Sequence, residues 1–189
     1  MQDPALGMIE FKSIAKGLFA VDAIVKKAPV KILSTSSICP GKYLIIFSGA
    51  VADVEESLHA GLAAGDDMVI HYLFLPYVHR EVLPALIGIS EIKVFGALGI
   101  IESFSVASCI AAADRAVKIA PIKLVEIRLA NGIGGKGYFL LTGELADVEI
   151  ACDAAKEHIS CDGLLAGAEI IATPHPDLLA KLGCFSIRE

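Results

Sequence analysis

The sequence predicts an α+β protein built from two tandem copies of one small domain, each an antiparallel four-stranded sheet with flanking helices. Its 189 residues suit one or two small domains. A sequence repeat runs through most of the chain, so the two halves are expected to share one fold. Within each half, short apolar segments follow the order β-α-β-β-α-β and then a short helix, which is typical of helices packed on an antiparallel sheet.

The repeat is clearest where each copy begins. Residues 5–10 (ALGMIE) recur as 97–102 (ALGIIE), an offset of 97 − 5 = 92. Later matches, at offsets of 94 and 96, are Gly41-Lys42 with Gly135-Lys136, and His79 with His175. Because the inserted residues fall in loops, the copies are expected to keep the same elements. The predicted domains are residues 5–92 and 96–184.

The elements of the first copy can be assigned from periodicity and end signals. Segment 6–12 is apolar and bounded like a strand. Ser13 is the predicted N-cap of a helix that runs to Ala28, where Pro29 ends it. The other predicted elements are strands at 30–36, 43–48 and 68–75, a helix at 51–64 and a short helix at 79–87. The second copy repeats this order from Leu98 to Leu182.

Composition excludes several classes of protein. Mean hydropathy is high at +0.67, yet no apolar run approaches the roughly 20 residues of a membrane span. Residues 1–4 do not resemble a signal peptide, so a cytoplasmic location is expected. A net charge of −6 with scattered lysines argues against nucleic acid. The apolar surface is therefore expected to be buried between copies of the chain.

The chain has five cysteines, and none of them forms a C-x-x-C pair. An odd number in a reducing compartment predicts free thiols. Cys109 and Cys152 lie in alanine-rich helical segments and are expected to be small core residues. Cys161 and Cys184 have no clearer interpretation than structural or exposed thiols. Cys39, within Ile38-Cys39-Pro40-Gly41-Lys42, occupies a tight loop between two strands.

Four features occur in both copies and together resemble the bacterial microcompartment shell family. They are the ALGMIE-like strand, a helix that ends in lysine, a glycine-containing loop between strands, and a late element at 76–79 and, less regularly, 173–176. The chain is similar to the tandem-domain members, which form pseudo-hexameric trimers. It is most similar to their iron–sulfur members from propanediol-utilisation compartments, on residues 14–17, 38–42 and 132–136.

The resemblance implies a structural protein of the microcompartment shell that assembles as a homotrimer and meets other shell proteins edge to edge. It also implies that two loops of each chain face a central pore. The implied pore residues are Ile38, Cys39, Pro40, Gly41, Gly132, Ile133, Gly134 and Gly135. The implied tile-edge residues are Lys26, Lys118, His79 and His175, which could equally be solvated lysines near helix ends and structural histidines.

Three copies of Cys39 around the implied three-fold axis would match the three-fold axis of a cubic [4Fe–4S] cluster. Ile133 occupies the matched place in the second loop, so one cluster per trimer is expected, with Cys39 as its metal ligand. Its function would be electron transfer across the shell, with a redox enzyme inside the compartment as partner.

Two alternatives to the cluster-bearing tile remain open. One is a shell tile with a plain metabolite pore, in which Cys39 only lines the opening. The other is a soluble trimeric sensor of small molecules. An enzyme is not expected, because no nucleophile, base and orienting group can be named. The glycine-rich run at 132–136 lacks the full phosphate-loop pattern. Glu10 and Glu102 are interpreted as structural carboxylates.

Overall fold

The computed structural model describes residues 4–182, which form two compact units. The first unit contains residues 4–80 together with Ala130–Gly135, and the second contains residues 81–129 and 136–182. Each unit is built on one four-stranded antiparallel sheet. None of the helices within 4–182 combines the length and the apolar character needed to cross a membrane.

The first unit carries its helices on a sheet of order β2-β3-β1-β4. Ser13 caps the first helix as predicted, because its Oγ accepts a hydrogen bond from the Lys16 amide at 3.2 Å. The central strand is buried along its whole length, and Ile9 and Phe11 join Phe47 in the core. The elements are β1 (Ala5–Phe11), α1 (Ile14–Lys27), β2 (Lys31–Ile38), β3 (Lys42–Gly49), α2 (Val51–Gly65) and β4 (Val69–Leu75).

The second unit repeats this topology with a sheet of order β6-β7-β5-β8. Its elements are α3 (Val82–Leu86), β5 (Ala97–Ser103), α4 (Val106–Ile119), β6 (Lys123–Leu129), β7 (Gly137–Gly143), α5 (Leu145–Ser160), β8 (Leu165–Ile171) and α6 (Pro176–Lys181). Even the register repeats, since Ala5 pairs with Gly49 and Ala97 with Gly143. The predicted α+β duplication is therefore confirmed at the level of individual strand pairs.

Two boundaries differ notably from the sequence-based prediction. Strand β2 continues to Ile38, because that residue pairs with Lys42 across the turn. Ile38, expected in the pore loop, is thus the buried end of a strand. The predicted helix at 79–87 shortens to Val82–Leu86, because residues 80–81 form a turn ahead of it. Just before this turn, the Val78 amide donates to the Pro4 carbonyl at 2.8 Å.

Helix α3 also has an unexpected location. The repeat assigns it to the end of the first copy, but it packs against β6 and α4 and groups with the second unit. The boundaries 5–92 and 96–184 therefore remain a proposal from the repeat, and Cys184 lies outside the described residues.

Candidate functional site

The short turn at residues 39–41 joins β2 to β3 and presents Cys39. The Gly41 amide donates to the Ile38 carbonyl at 2.9 Å, which closes the turn. Gly41 has a φ of +83°, a conformation that glycine adopts without strain. The Cys39–Pro40 peptide is cis. Cys39 is a half-buried free thiol, whereas Pro40 and Gly41 are exposed.

The loop Ala130–Gly135 lies close to the backbone of Cys39. The Cys39 amide donates to the Ala130 carbonyl at 3.1 Å. Gly135 adopts a φ of +84°, and a Cβ built there would lie 3.1 Å from the Cys39 carbonyl oxygen. The structure therefore brings Cys39 and Gly135, two of the predicted pore residues, into contact. A Cβ built on Gly132 or Gly134 would meet nothing within 4 Å, and Ile133 is half-buried.

Each loop is followed by a lysine that pairs with a glutamate on the central strand. Lys42 Nζ lies 2.8 Å from Glu10 Oε1, and Lys136 Nζ lies 2.5 Å from Glu102 Oε1. These contacts support the structural interpretation of both glutamates. Sequence reasoning missed the pairs, although the recurring Gly-Lys at the end of each loop was a usable signal.

Of the other three described cysteines, two are buried in the core and one is exposed. Cys109 and Cys152 are buried core residues, as predicted. Burial raises the pKa of the Cys109 thiol and raises the pKa of Cys152 to about 11, against a small opposing effect of Lys156. Cys161 is exposed, and its thiol donates to the Glu157 carbonyl at 3.2 Å. Within residues 4–182, no three His, Cys, Asp or Glu side chains converge on a metal site.

The predicted edge lysines both have local acidic partners. Lys26 Nζ lies 2.5 Å from Asp22, and Lys118 Nζ lies 2.6 Å from Asp114, each one helical turn away. His175 caps α6 by accepting from the Asp177 amide at 3.2 Å, and His79 is half-buried ahead of α3. These contacts are local, and the edge role of the four residues stays a prediction.

Equivalent helices of the two copies differ sharply in exposure, which the repeat alone does not predict. Ile14 and Leu18 on α1 are 42% and 55% exposed. Their counterparts on α4, Val106 and Ile110, are 1% and 0% exposed. We call the exposed residues Ile14, Leu18, Phe19 and Val25 the α1 face. A surface whose counterpart is buried in the same chain is suited to burial against a partner.

Comparison with known proteins identifies the family. The BMC domain matches residues 5–78 and again residues 97–174. The bacterial microcompartment shell protein PduT of Citrobacter freundii is 42% identical over 94% of this chain and 97% of its own length. The shell protein PduA of Salmonella typhimurium is 35% identical over 48% of this chain and 100% of its own length.

A solved structure agrees with these relatives. The crystal structure of a microcompartment protein from Desulfitobacterium hafniense superimposes with a TM-score of 0.91 at 41% identity, covering 94% of this chain and 98% of that one. The curated relatives carry shell-protein names, which confirms a structural rather than an enzymatic role. The chain belongs to the BMC-domain family of bacterial microcompartment shell proteins, with two such domains in tandem.

Proposed function

We propose that three copies of this chain close into a pseudo-hexameric shell tile whose central pore is lined by residues 39–41 and 132–135. Cys39 of each chain supplies one ligand to a single [4Fe–4S] cluster, and the tile carries electrons across the shell. The observation that carries this proposal is the hydrogen bond from the Cys39 amide to the Ala130 carbonyl, with Gly135 close to the Cys39 carbonyl oxygen. A ligand held in this way loses little conformational freedom when it binds.

The ring is supported by the α1 face. An interface between two different surfaces of one chain either closes a ring or continues as a filament. The two halves of this chain share one fold but differ in surface burial, so each chain can supply two sixths of a hexagonal tile. Other shell proteins would then meet the tile at its outer edge, where Lys26, Lys118, His79 and His175 are expected.

The residues of the loop fit the cluster. Cysteine thiolates are its usual ligands, and Cys39 is a half-buried thiol outside any disulfide. Among the described residues of a single chain, no group of three His, Cys, Asp or Glu side chains could hold a metal ion. A ligand set built from one Cys39 of each of three chains is compatible with this. The bound cluster would supply one-electron transfer, and this chain would hold its thiols in place through the second loop.

A plain metabolite pore is the second candidate. It is favoured by the exposed glycines at 132 and 134, which place no side chain at the loop tip. In that case Cys39 would line the opening without binding metal. The sensor alternative has no such support, because the relatives are named as shell proteins.

The test is anaerobic reconstitution with iron and sulfide, followed by iron quantitation and low-temperature EPR. Wild-type protein is compared with Cys39→Ser and with Cys161→Ser, which removes an exposed thiol that belongs to neither loop. We expect about four irons per three chains and a reducible signal, both lost only in Cys39→Ser. Equal iron in all three proteins, or no specific iron in an intact trimer, would favour the plain pore.

A further inference from the structure

Helix α3, which the repeat assigns to the end of the first copy, packs within the second unit. It packs against β6 and α4 of the second unit. Glu81 Oε1 lies 2.5 Å from Lys123 Nζ at the start of β6. Val82 and Ala85 are 0% and 1% exposed. The contact therefore combines one ion pair with a small buried apolar patch.

Helix α6 is the counterpart of α3 in the second copy, and its corresponding residues are exposed. At the offset that relates β4 to β8, Glu81 corresponds to Asp177 and Val82 to Leu178 in helix α6. The Asp177 side chain is 93% exposed, with only His175 Nδ1 nearby at 3.6 Å, and Leu178 is 38% exposed. No residue of α6 is buried.

The surface of the first unit that corresponds to the binding surface of α3 is also exposed. Lys123 corresponds to Lys31, because each begins the edge strand beside the matching central strand, opposite Ser48 and Thr142. Lys31 is exposed, and within residues 4–182 it forms no ion pair. It lies at the start of β2, the element that directly follows α1. The counterparts of Ile14 and Leu18 of the α1 face are buried on α4.

We propose that α6 of one chain docks on β2 and α1 of a second copy, with an ion pair between Asp177 and Lys31 of the two chains. The inference rests on the proposed ring and adds the contact that would join its members. Asp177 and Leu178 keep the acidic and apolar character of Glu81 and Val82, and Lys31 keeps the charge of Lys123, whereas Lys181 replaces the buried Ala85. The repeat relates α6 to α3 and β2 to β6, so a second copy of this chain is the expected partner of this surface. The ion pair would then set the alignment of the two chains at the interface.

Zero-length carbodiimide coupling tests the proposed pair, because it joins a lysine to a carboxylate only at ion-pair distance. The full-length protein is treated, separated on a denaturing gel and analysed by mass spectrometry for linked peptides. We expect bands of two and three chains that contain a Lys31–Asp177 link. The Glu81–Lys123 link serves as the internal control and should occur in the single-chain band.

Charge variants of Asp177 and Lys31 test the proposed ion pair further. Asp177→Asn removes the carboxylate and should abolish the multi-chain bands while leaving the Glu81–Lys123 link. Charge reversal by Lys31→Glu should weaken the trimer by at least about tenfold in dissociation constant, and Lys31→Glu with Asp177→Lys should recover it. Recovery would show that the two residues meet.

The outcomes separate this inference from the proposed trimer. A native trimer with the Glu81–Lys123 link but without a Lys31–Asp177 link would overturn the docking contact and leave the ring intact. A Lys31–Asp177 link found only in single chains would also overturn it. Protein that stays monomeric at every concentration would overturn both the contact and the trimer.

Discussion

The amide nitrogen of Cys39 lies 3.1 Å from the carbonyl oxygen of Ala130 and donates a hydrogen bond to it. This bond joins two loops that occupy equivalent places in the two copies, although only the first contains a cysteine. Gly135 in the second loop then approaches the Cys39 carbonyl oxygen. The backbone of Cys39 is therefore in contact with a loop that contains no cysteine.

Replacing Gly135 with alanine should displace the Cys39 backbone. Alanine at a φ of +84° is strained by about 1–3 kcal/mol, and its Cβ would also press on the Cys39 carbonyl at 3.1 Å. Gly134→Ala is the matched control, because its φ is +66° but no atom lies within 4 Å. We expect Gly135→Ala to lower iron content per trimer and change the alkylation rate of Cys39 more than Gly134→Ala. Equal effects of both variants would show that only backbone strain matters.

Introducing a charge on the α1 face should disrupt the trimer. Leu18→Asp would place a carboxylate in the proposed apolar interface, which costs several kcal/mol when no partner is present. Ile150→Glu is the control, because Ile150 is 52% exposed and its counterpart in the first copy is Glu56. Sedimentation velocity should show dissociation of Leu18→Asp and an unchanged Ile150→Glu. A stable Leu18→Asp trimer would remove the α1 face from the interface.

Removing the Ser57 hydroxyl should stabilise the protein. Ser57 is fully buried in α2, and its Oγ has no hydrogen-bond partner among the described residues. Its counterpart in the second copy is the equally buried Ala151. We expect Ser57→Ala to gain about 1 kcal/mol, or roughly 2–4 °C in Tm, and Ala151→Ser to lose stability. A lower Tm for Ser57→Ala would mean that the hydroxyl is satisfied after all.

The buried thiols should resist alkylation in the native state. Iodoacetamide at pH 8 followed by peptide mapping should modify Cys39 and Cys161 and spare Cys109 and Cys152. The pKa of Cys152 is raised from 9.0 to about 11 by burial, so its neutral form contributes stability fully below pH 9. That contribution is lost as the pH rises from 9 towards 11. Rapid native alkylation of Cys109 would contradict the buried assignment.

Much of the fold could be predicted because local signals and the repeat agree. Ser13 and Ser105 both cap helices as their sequence positions suggest, and each accepts a bond from an amide three residues later. The end of β2 could not be predicted, because Ile38 becomes part of the strand only through its pairing with Lys42. Residue periodicity does not report such pairing across a turn.

The site was only partly predictable for a similar reason. Cys39 could be named from its loop, but its bond to Ala130 joins residues 91 positions apart, 130 − 39 = 91, and depends on tertiary structure. Leu18 is exposed whereas its counterpart Ile110 is buried. The sequence repeat does not predict this difference either, because it matches the two helices position by position. Differences between equivalent positions arise from packing, which the sequence repeat does not encode.

The central claim is that one cluster is shared by three chains through Cys39. Native mass spectrometry of the anaerobically reconstituted protein tests it most directly, because it weighs the intact assembly. The account predicts a single dominant species of three chains plus one four-iron, four-sulfide cluster, and a cluster-free trimer for Cys39→Ser. Iron and sulfide bound to single chains, or an identical cluster mass in Cys39→Ser, would contradict it.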